Sequence, residues 1–114
     1  MITQKIRLDP NDLKYEDITK DFELLKFRQE ASKKMKIRYN NPDDEDKTFI
    51  IESTDDIIFV RNKELNIEQK SSEYIRITFN MPKTLGTYTA SVIVKNKKTG
   101  EIEEILRFHM QVVV

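Results

Sequence analysis

An all-β fold, an antiparallel β-sandwich of about seven short strands, is the class this sequence predicts. Three observations lead to it. Beyond residue 33, apolar and polar side chains alternate with the period of two that a strand imposes. Polar or proline-containing punctuation interrupts that alternation roughly every 8 to 12 residues, the turn spacing of sandwiches. Strands do not alternate with amphipathic helices, as a parallel sheet with crossover helices would require.

Lys5–Leu8 reads as the opening strand. Asp17–Lys34 is the exception to the β pattern: Ile18, Phe22 and Leu25 fall at spacings of four and three, and Leu24, Phe27 and Ala31 make a neighbouring stripe. Neither Gly nor Pro interrupts this stretch, Asp17 or Thr19 can cap its start, and Lys33 and Lys34 suit a negative helix end. A helix-like insertion is therefore expected. A second reading stays open, because Phe22, Leu24 and Lys26 also alternate with their neighbours and would make part of Phe22–Arg28 a strand. As a helix the segment either packs across an open edge of the sandwich, closing a sheet edge to other chains, or offers Phe22, Leu25 and Phe27 to a partner groove.

In Lys34–Tyr39, alternation turns Met35, Ile37 and Tyr39 inward and Lys34, Lys36 and Arg38 outward. Asn40-Asn41-Pro42-Asp43-Asp44 ends this strand, since Pro42 lacks an N–H and Asn and Asp side chains close turns. Thr48–Glu52, Ile57–Val60 and Leu65–Ile67 are short strands after the acidic connection. Tyr74–Phe79 alternates with Ile75, Ile77 and Phe79 inward and stops at Asn80-Met81-Pro82. Gly86 permits the next reversal, and Lys95–Gly100 is a hairpin loop between Tyr88–Val94 and Ile102–Val112.

The chain has 114 residues, 38% hydrophobic and 35% charged, which suits one small domain with one core. Val112–Val114 either complete the last strand or lead on into a longer chain. Twenty basic and twenty acidic residues cancel, so binding to a polyanion has to come from a local patch. The absence of cysteine excludes disulfides, thiolate zinc sites and cysteine nucleophiles, and suits a cytoplasmic setting. Charges in Met1–Arg7 interrupt the apolar run of roughly 7 to 15 residues that a signal peptide needs. No stretch approaches the roughly 18 apolar residues of a spanning helix, so no transmembrane segment is expected.

Two glycines and one histidine leave no material for a phosphate-binding glycine loop or a multi-histidine metal site. His109 lies between Phe108 and Met110 and so faces away from the core. The serines show no Gly-x-Ser-x-Gly frame, and Glu103-Glu104 sits in a polar hairpin with no evident pocket. Asp43-Asp44-Glu45-Asp46 offers oxygens to a hard cation, but it lacks EF-hand spacing and a turn glycine and reads as a solubilising loop. No enzyme, no cofactor and no metal are expected. The sharpest surface feature is the row Lys34, Lys36 and Arg38, extended by Lys33, with cations spaced roughly 7 Å apart. Such a row suits an acidic protein segment or lipid headgroups; the alternative is a solvated face neutralised by Asp43–Asp46 or a neighbouring strand. Aromatic interleaving is limited to the inward Tyr39, so nucleic acid is not an expected partner.

Several segments resemble the major sperm protein type of immunoglobulin-like sandwich. Ile6–Tyr15 is similar to that family's opening strand and its "leucine-basic-aromatic" segment; Ile37–Pro42 followed by Lys47–Ile51 resembles its second strand, Asn-Pro turn and third strand. Ile75–Phe79 and Leu85-Gly86-Thr87-Tyr88 are similar to the strand and Gly-x-Tyr turn before the closing hairpin. Asn41-Pro42 through Thr48-Phe49, then Asp55–Phe59, most resembles the domains of nephrocystin-4-like ciliary proteins. The resemblance implies a non-catalytic cytoplasmic scaffold of the cilium, basal body or centrosome that binds other proteins and is open to homotypic assembly; the row Lys34, Lys36 and Arg38, read from alternation alone, is the expected contact. It departs at Ile50–Thr54: Glu52 stands where relatives that bind acidic phenylalanine-containing peptides carry a cation.

Overall fold

The computed structural model describes residues 13–114. A 3-10 turn, Leu13–Ile18, leads into nine strands: β1 (Thr19–Asp21), β2 (Leu25–Arg28), β3 (Ser32–Asn40), β4 (Lys47–Ser53), β5 (Ile58–Val60), β6 (Glu64–Ile67), β7 (Ser72–Asn80), β8 (Gly86–Asn96) and β9 (Ile102–Val113). They form two sheets, one in the order β1-β9-β8-β4-β6 with β2 also on β9, the other β3-β7-β5. The expected antiparallel sandwich is present, and every strand predicted beyond residue 33 is found within a few residues of its expected bounds. Lys5–Leu8 lies outside the described residues.

The helix-like insertion does not form. Only the 3-10 turn is helical, and Asp17–Lys34 instead lays β1 and β2 parallel along one edge of β9, pairing Thr19 with Ile105 and Leu25 with Met110. A twelve-residue strand presents a full row of backbone donors and acceptors, which a helix packed beside it would leave unpaired. The open strand reading of Phe22–Arg28 is realised as Leu25–Arg28. Glu30, with φ of 59°, then reverses the chain into β3, and the Ala31 N–H donates to the Arg28 carbonyl at 3.2 Å. The β9 edge is thus covered by strands, and β1 and β2 become the edge of the sheet in its place.

The core lies where the inward faces meet. Phe22, offered by sequence to a partner groove, stacks on Phe108 with centroids 4.4 Å apart. Phe108 meets Phe79 edge-on at 5.4 Å, and Phe79 meets the buried Phe27 at the same distance. Four rings therefore tie the β1–β2 segment and β9 to β7 across the sandwich. Leu25 packs against the same cluster. Phe22, Leu25 and Phe27 are therefore taken up by the core and are not offered to a partner groove.

Two turns set the ends of the sheets. Asn41, 1% exposed, donates through Nδ2 to the carbonyls of Glu45, Ile67 and Glu68 at 2.9, 3.0 and 3.3 Å and accepts the Asp43 N–H at 3.1 Å. This explains why β3 stops at Asn40. In the β8–β9 hairpin, Asn96 Oδ1 accepts the Lys98 and Thr99 N–H groups and Gly100 takes a φ of 76°, a left-handed conformation that glycine adopts freely.

Candidate protein-interaction face

The outer face of the three-stranded sheet carries the predicted cationic row and enlarges it. On β3 the inward side chains Met35, Ile37 and Tyr39 are half-buried while Lys34, Lys36 and Arg38 are exposed, as alternation requires. Lys33 has the opposite parity and does not share this face. Antiparallel register puts Lys34 opposite Thr78, Lys36 opposite Arg76 and Arg38 opposite Tyr74 on β7. On the other side of β7, Phe59 of β5 lies opposite Thr78, and the Arg61 N–H continues the ladder to the Arg76 carbonyl at 2.8 Å.

The result is a grid. One level holds Arg38 and Tyr74; the next holds Lys36, Arg76 and Arg61 across three strands; the third holds Lys34, Thr78 and Phe59. Levels are roughly 7 Å apart and neighbouring strands roughly 5 Å. Phe59 and Tyr74 are 52% and 40% exposed, so two rings are held in water beside the cations. Lys36 Nζ lies 4.6 Å from the Tyr74 centroid and Lys63 Nζ lies 5.9 Å from that of Phe59. Asn62 finishes the β7 edge where β5 ends, donating to the Tyr74 carbonyl and accepting the Arg76 N–H, each at 2.8 Å.

None of Lys34, Lys36, Arg38, Arg61, Lys63 and Arg76 has an ion-pair partner among the described residues. The acidic loop does not neutralise them. Asp43 pairs with Lys47, Asp44 with Lys70 at 3.3 Å, and Asp46 accepts the Gln69 N–H at 2.9 Å. These carboxylates are thereby spent on the adjoining turn rather than converged on a cation. The hydrogen bond that Lys47 donates to Asp43 raises the Lys47 pKa and keeps that ammonium charged.

Other candidates stand elsewhere. His109 faces outward on β9, as alternation predicts, with Nε2 at 2.8 Å from Asp21 Oδ1 and Nδ1 at 3.4 Å from Thr89 Oγ1. Arg107 donates to both Asp21 oxygens at 2.6 and 2.7 Å. The hydrogen bonds from Arg107 and then His109 pull the Asp21 carboxyl down to about 2. This cluster clasps β1 to β9 and was invisible in sequence, where its members lie 86 and 88 residues apart. Burial raises the Tyr39 phenol, helped by the negative charge of the nearby Glu104; burial likewise raises Glu104. Glu52 pairs with Lys95 at 3.9 Å, Ser53 Oγ donates to the Asp55 carbonyl and Thr54 Oγ1 accepts the Ser91 N–H. That stretch is engaged in contacts within the fold.

Sequence reasoning missed Phe59 and Tyr74 as parts of the face. Looking along β3 alone found no outward ring; the rings come from β5 and β7, whose register was unknown.

No protein-family model and no curated protein matches the chain. Solved structures share its fold. WR4, a Caenorhabditis elegans MSP family member, superposes with a TM-score of 0.54 at 10% identity, over 79% of this chain and 92% of that one. The ASH / PapD-like domain 7 of human CEP192 gives 0.56 at 14% identity, over 84% and 81%. A family 123 glycoside hydrolase from Clostridium perfringens gives 0.64 at 13% identity, with 83% of this chain covering 23% of the enzyme. The chain thus has the sandwich of major sperm protein and ASH domains, a fold that also occurs as part of larger enzymes. Among the described residues, no helix is long and apolar enough to cross a membrane.

Proposed function

We propose that this chain is a non-catalytic protein-interaction domain that docks an acidic partner on the outer face of β3-β7-β5. The observation that carries this reading is six exposed cations on one face without an ion pair among the described residues, in a chain of zero net charge. Like charges opposite each other on neighbouring strands oppose folding, so an arrangement of this kind is favourable only when a counter-charge arrives. Lys34, Lys36 and Arg38 are the β3 contribution to that contact.

The resemblance to nephrocystin-4-like domains, together with the shared fold of a CEP192 domain, supports a cytoplasmic scaffold of the cilium, basal body or centrosome. One domain spanning residues 1–114, alone or within a longer chain, suits that role. The second reading is an anionic lipid surface meeting the same unpaired cations. The test is capture from ciliated-cell lysate by the native domain and by a Lys34→Glu, Lys36→Glu, Arg38→Glu variant of unchanged melting temperature. Loss of ciliary or centrosomal proteins from the variant supports the reading; equal capture by both removes the face from it.

A further inference from the structure

The geometry points to a phosphate-reading centre within this face: the transverse row Lys36–Arg76–Arg61 takes a phosphorylated serine or threonine of the partner protein, with Tyr74 and Phe59 receiving apolar side chains on either side. This rests on the acidic-partner reading and narrows the partner's chemistry.

Two arrangements of charge coexist on the face. Along β3 the cations are roughly 7 Å apart, a spacing that successive carboxylates of an extended acidic chain can meet one by one. Across the strands, Lys36, Arg76 and Arg61 are direct neighbours at roughly 5 Å. A monoanionic carboxylate answers one of three such cations. A phosphate monoester carries about two negative charges at neutral pH and three acceptor oxygens, enough for three donors at once. Two of the three are arginines, whose planar forks bind phosphate through paired N–H groups, which lysine cannot do.

Arg76 is also fixed from beneath. Its own N–H is held by Asn62 Oδ1 and its carbonyl by the Arg61 N–H, both at 2.8 Å, so the central position of the row is anchored on both backbone groups. The two rings lie on opposite sides of the row: Tyr74 two residues before Arg76 on the same strand, Phe59 diagonal to Arg76, two residues before Arg61 on the β5 side. A segment crossing the strands obliquely meets a ring, the cation row and the second ring in turn. The cation–π contacts of Lys36 and Lys63 are exposed and therefore weak, so these lysines can leave the rings when a partner arrives.

The experiment is fluorescence anisotropy with one synthetic peptide, rich in glutamate with leucines flanking a central serine, in its serine, glutamate-substituted and phosphoserine forms. The phosphoserine form is expected to bind about tenfold tighter than the glutamate form, the difference one or two charge-assisted hydrogen bonds supply. Arg76→Gln should abolish that advantage, and Arg76→Lys, which keeps the charge without the fork, should lose most of it. Both substitutions are on the exposed face, and an unchanged or raised melting temperature shows that the fold is kept. Equal binding of the glutamate and phosphoserine forms, both lost in the Lys34→Glu, Lys36→Glu, Arg38→Glu variant, overturns phosphate reading and leaves the acidic-partner reading standing. Binding of phosphatidylserine vesicles or of a single-stranded oligonucleotide more tightly than the phosphopeptide overturns both, in favour of lipid or nucleic acid. No binding by any form overturns the proposal.

Discussion

Removing the central arginine should make the protein more stable. Arg76 lies directly between Lys36 and Arg61 on neighbouring strands, with no ion-pair partner among the described residues. Two unit charges held at the strand spacing of about 5 Å in water repel by roughly 0.8 kcal/mol, so two such neighbours give at most roughly 1.7 kcal/mol, since exposed side chains can swing their charges further apart. A Debye length of about 8 Å at physiological ionic strength reduces this by about half, to roughly 0.9 kcal/mol. At 1 M salt, where the Debye length is about 3 Å, roughly 0.3 kcal/mol remains. Arg76→Gln should therefore raise the melting temperature by up to about 4 °C in physiological buffer, given at most about 1 kcal/mol in a domain of this size. The gain should shrink as salt rises. Urea denaturation of both proteins at low, physiological and high salt measures it. A loss of stability, or a gain indifferent to salt, would mean that the row is neutralised by groups of the protein itself, and the argument for a docked anion would fall.

Three further outcomes follow from other parts of the fold. Phe108, fully buried and in contact with both Phe22 and Phe79, should cost about 3–5 kcal/mol when truncated to alanine, measurable by chemical denaturation. Asn41→Ala strips a buried amide from three carbonyls and should cost about 1–3 kcal/mol, with hydrogen exchange rising in the Asn41–Asp46 and Ile67–Ser71 turns. Asp21 has a carboxyl pKa depressed from 3.8 to about 2 by Arg107 and then His109, so its contribution is complete above 3.8 and is lost as pH falls toward 2. Because the group is half-exposed, solvent screening limits the contribution to roughly 0.5–1 kcal/mol. Asp21→Asn should remove that share of the acid-induced fall in melting temperature.

Much of the strand pattern is legible in the sequence because it is local. The period of two in Lys34–Tyr39 and Tyr74–Phe79 sorts inward from outward side chains without any knowledge of neighbours, and Asn41-Pro42 marks the end of β3 by its chemistry. The Asp17–Lys34 segment misleads for a physical reason. Its apolar spacings of four and three fit a helical stripe, but the deciding energy is the unpaired edge of β9, about eighty residues away in sequence, which captures Leu25–Arg28 as a strand. The candidate face was half legible. Lys34, Lys36 and Arg38 follow from alternation; that Arg76 and Arg61 fall level with Lys36, and that Phe59 and Tyr74 flank them, depends on register between strands distant in the chain. The Asp21–Arg107–His109 clasp was hidden for the same reason.

The most direct measurement of the central claim is amide chemical-shift mapping of the protein as a polyglutamate peptide is added at low salt. The account predicts shifts confined to Lys34–Arg38, Phe59–Lys63 and Tyr74–Thr78, reversed by added salt. Shifts centred instead on the outer face of the six-stranded sheet, around Ser91, Arg107 and His109, would contradict it.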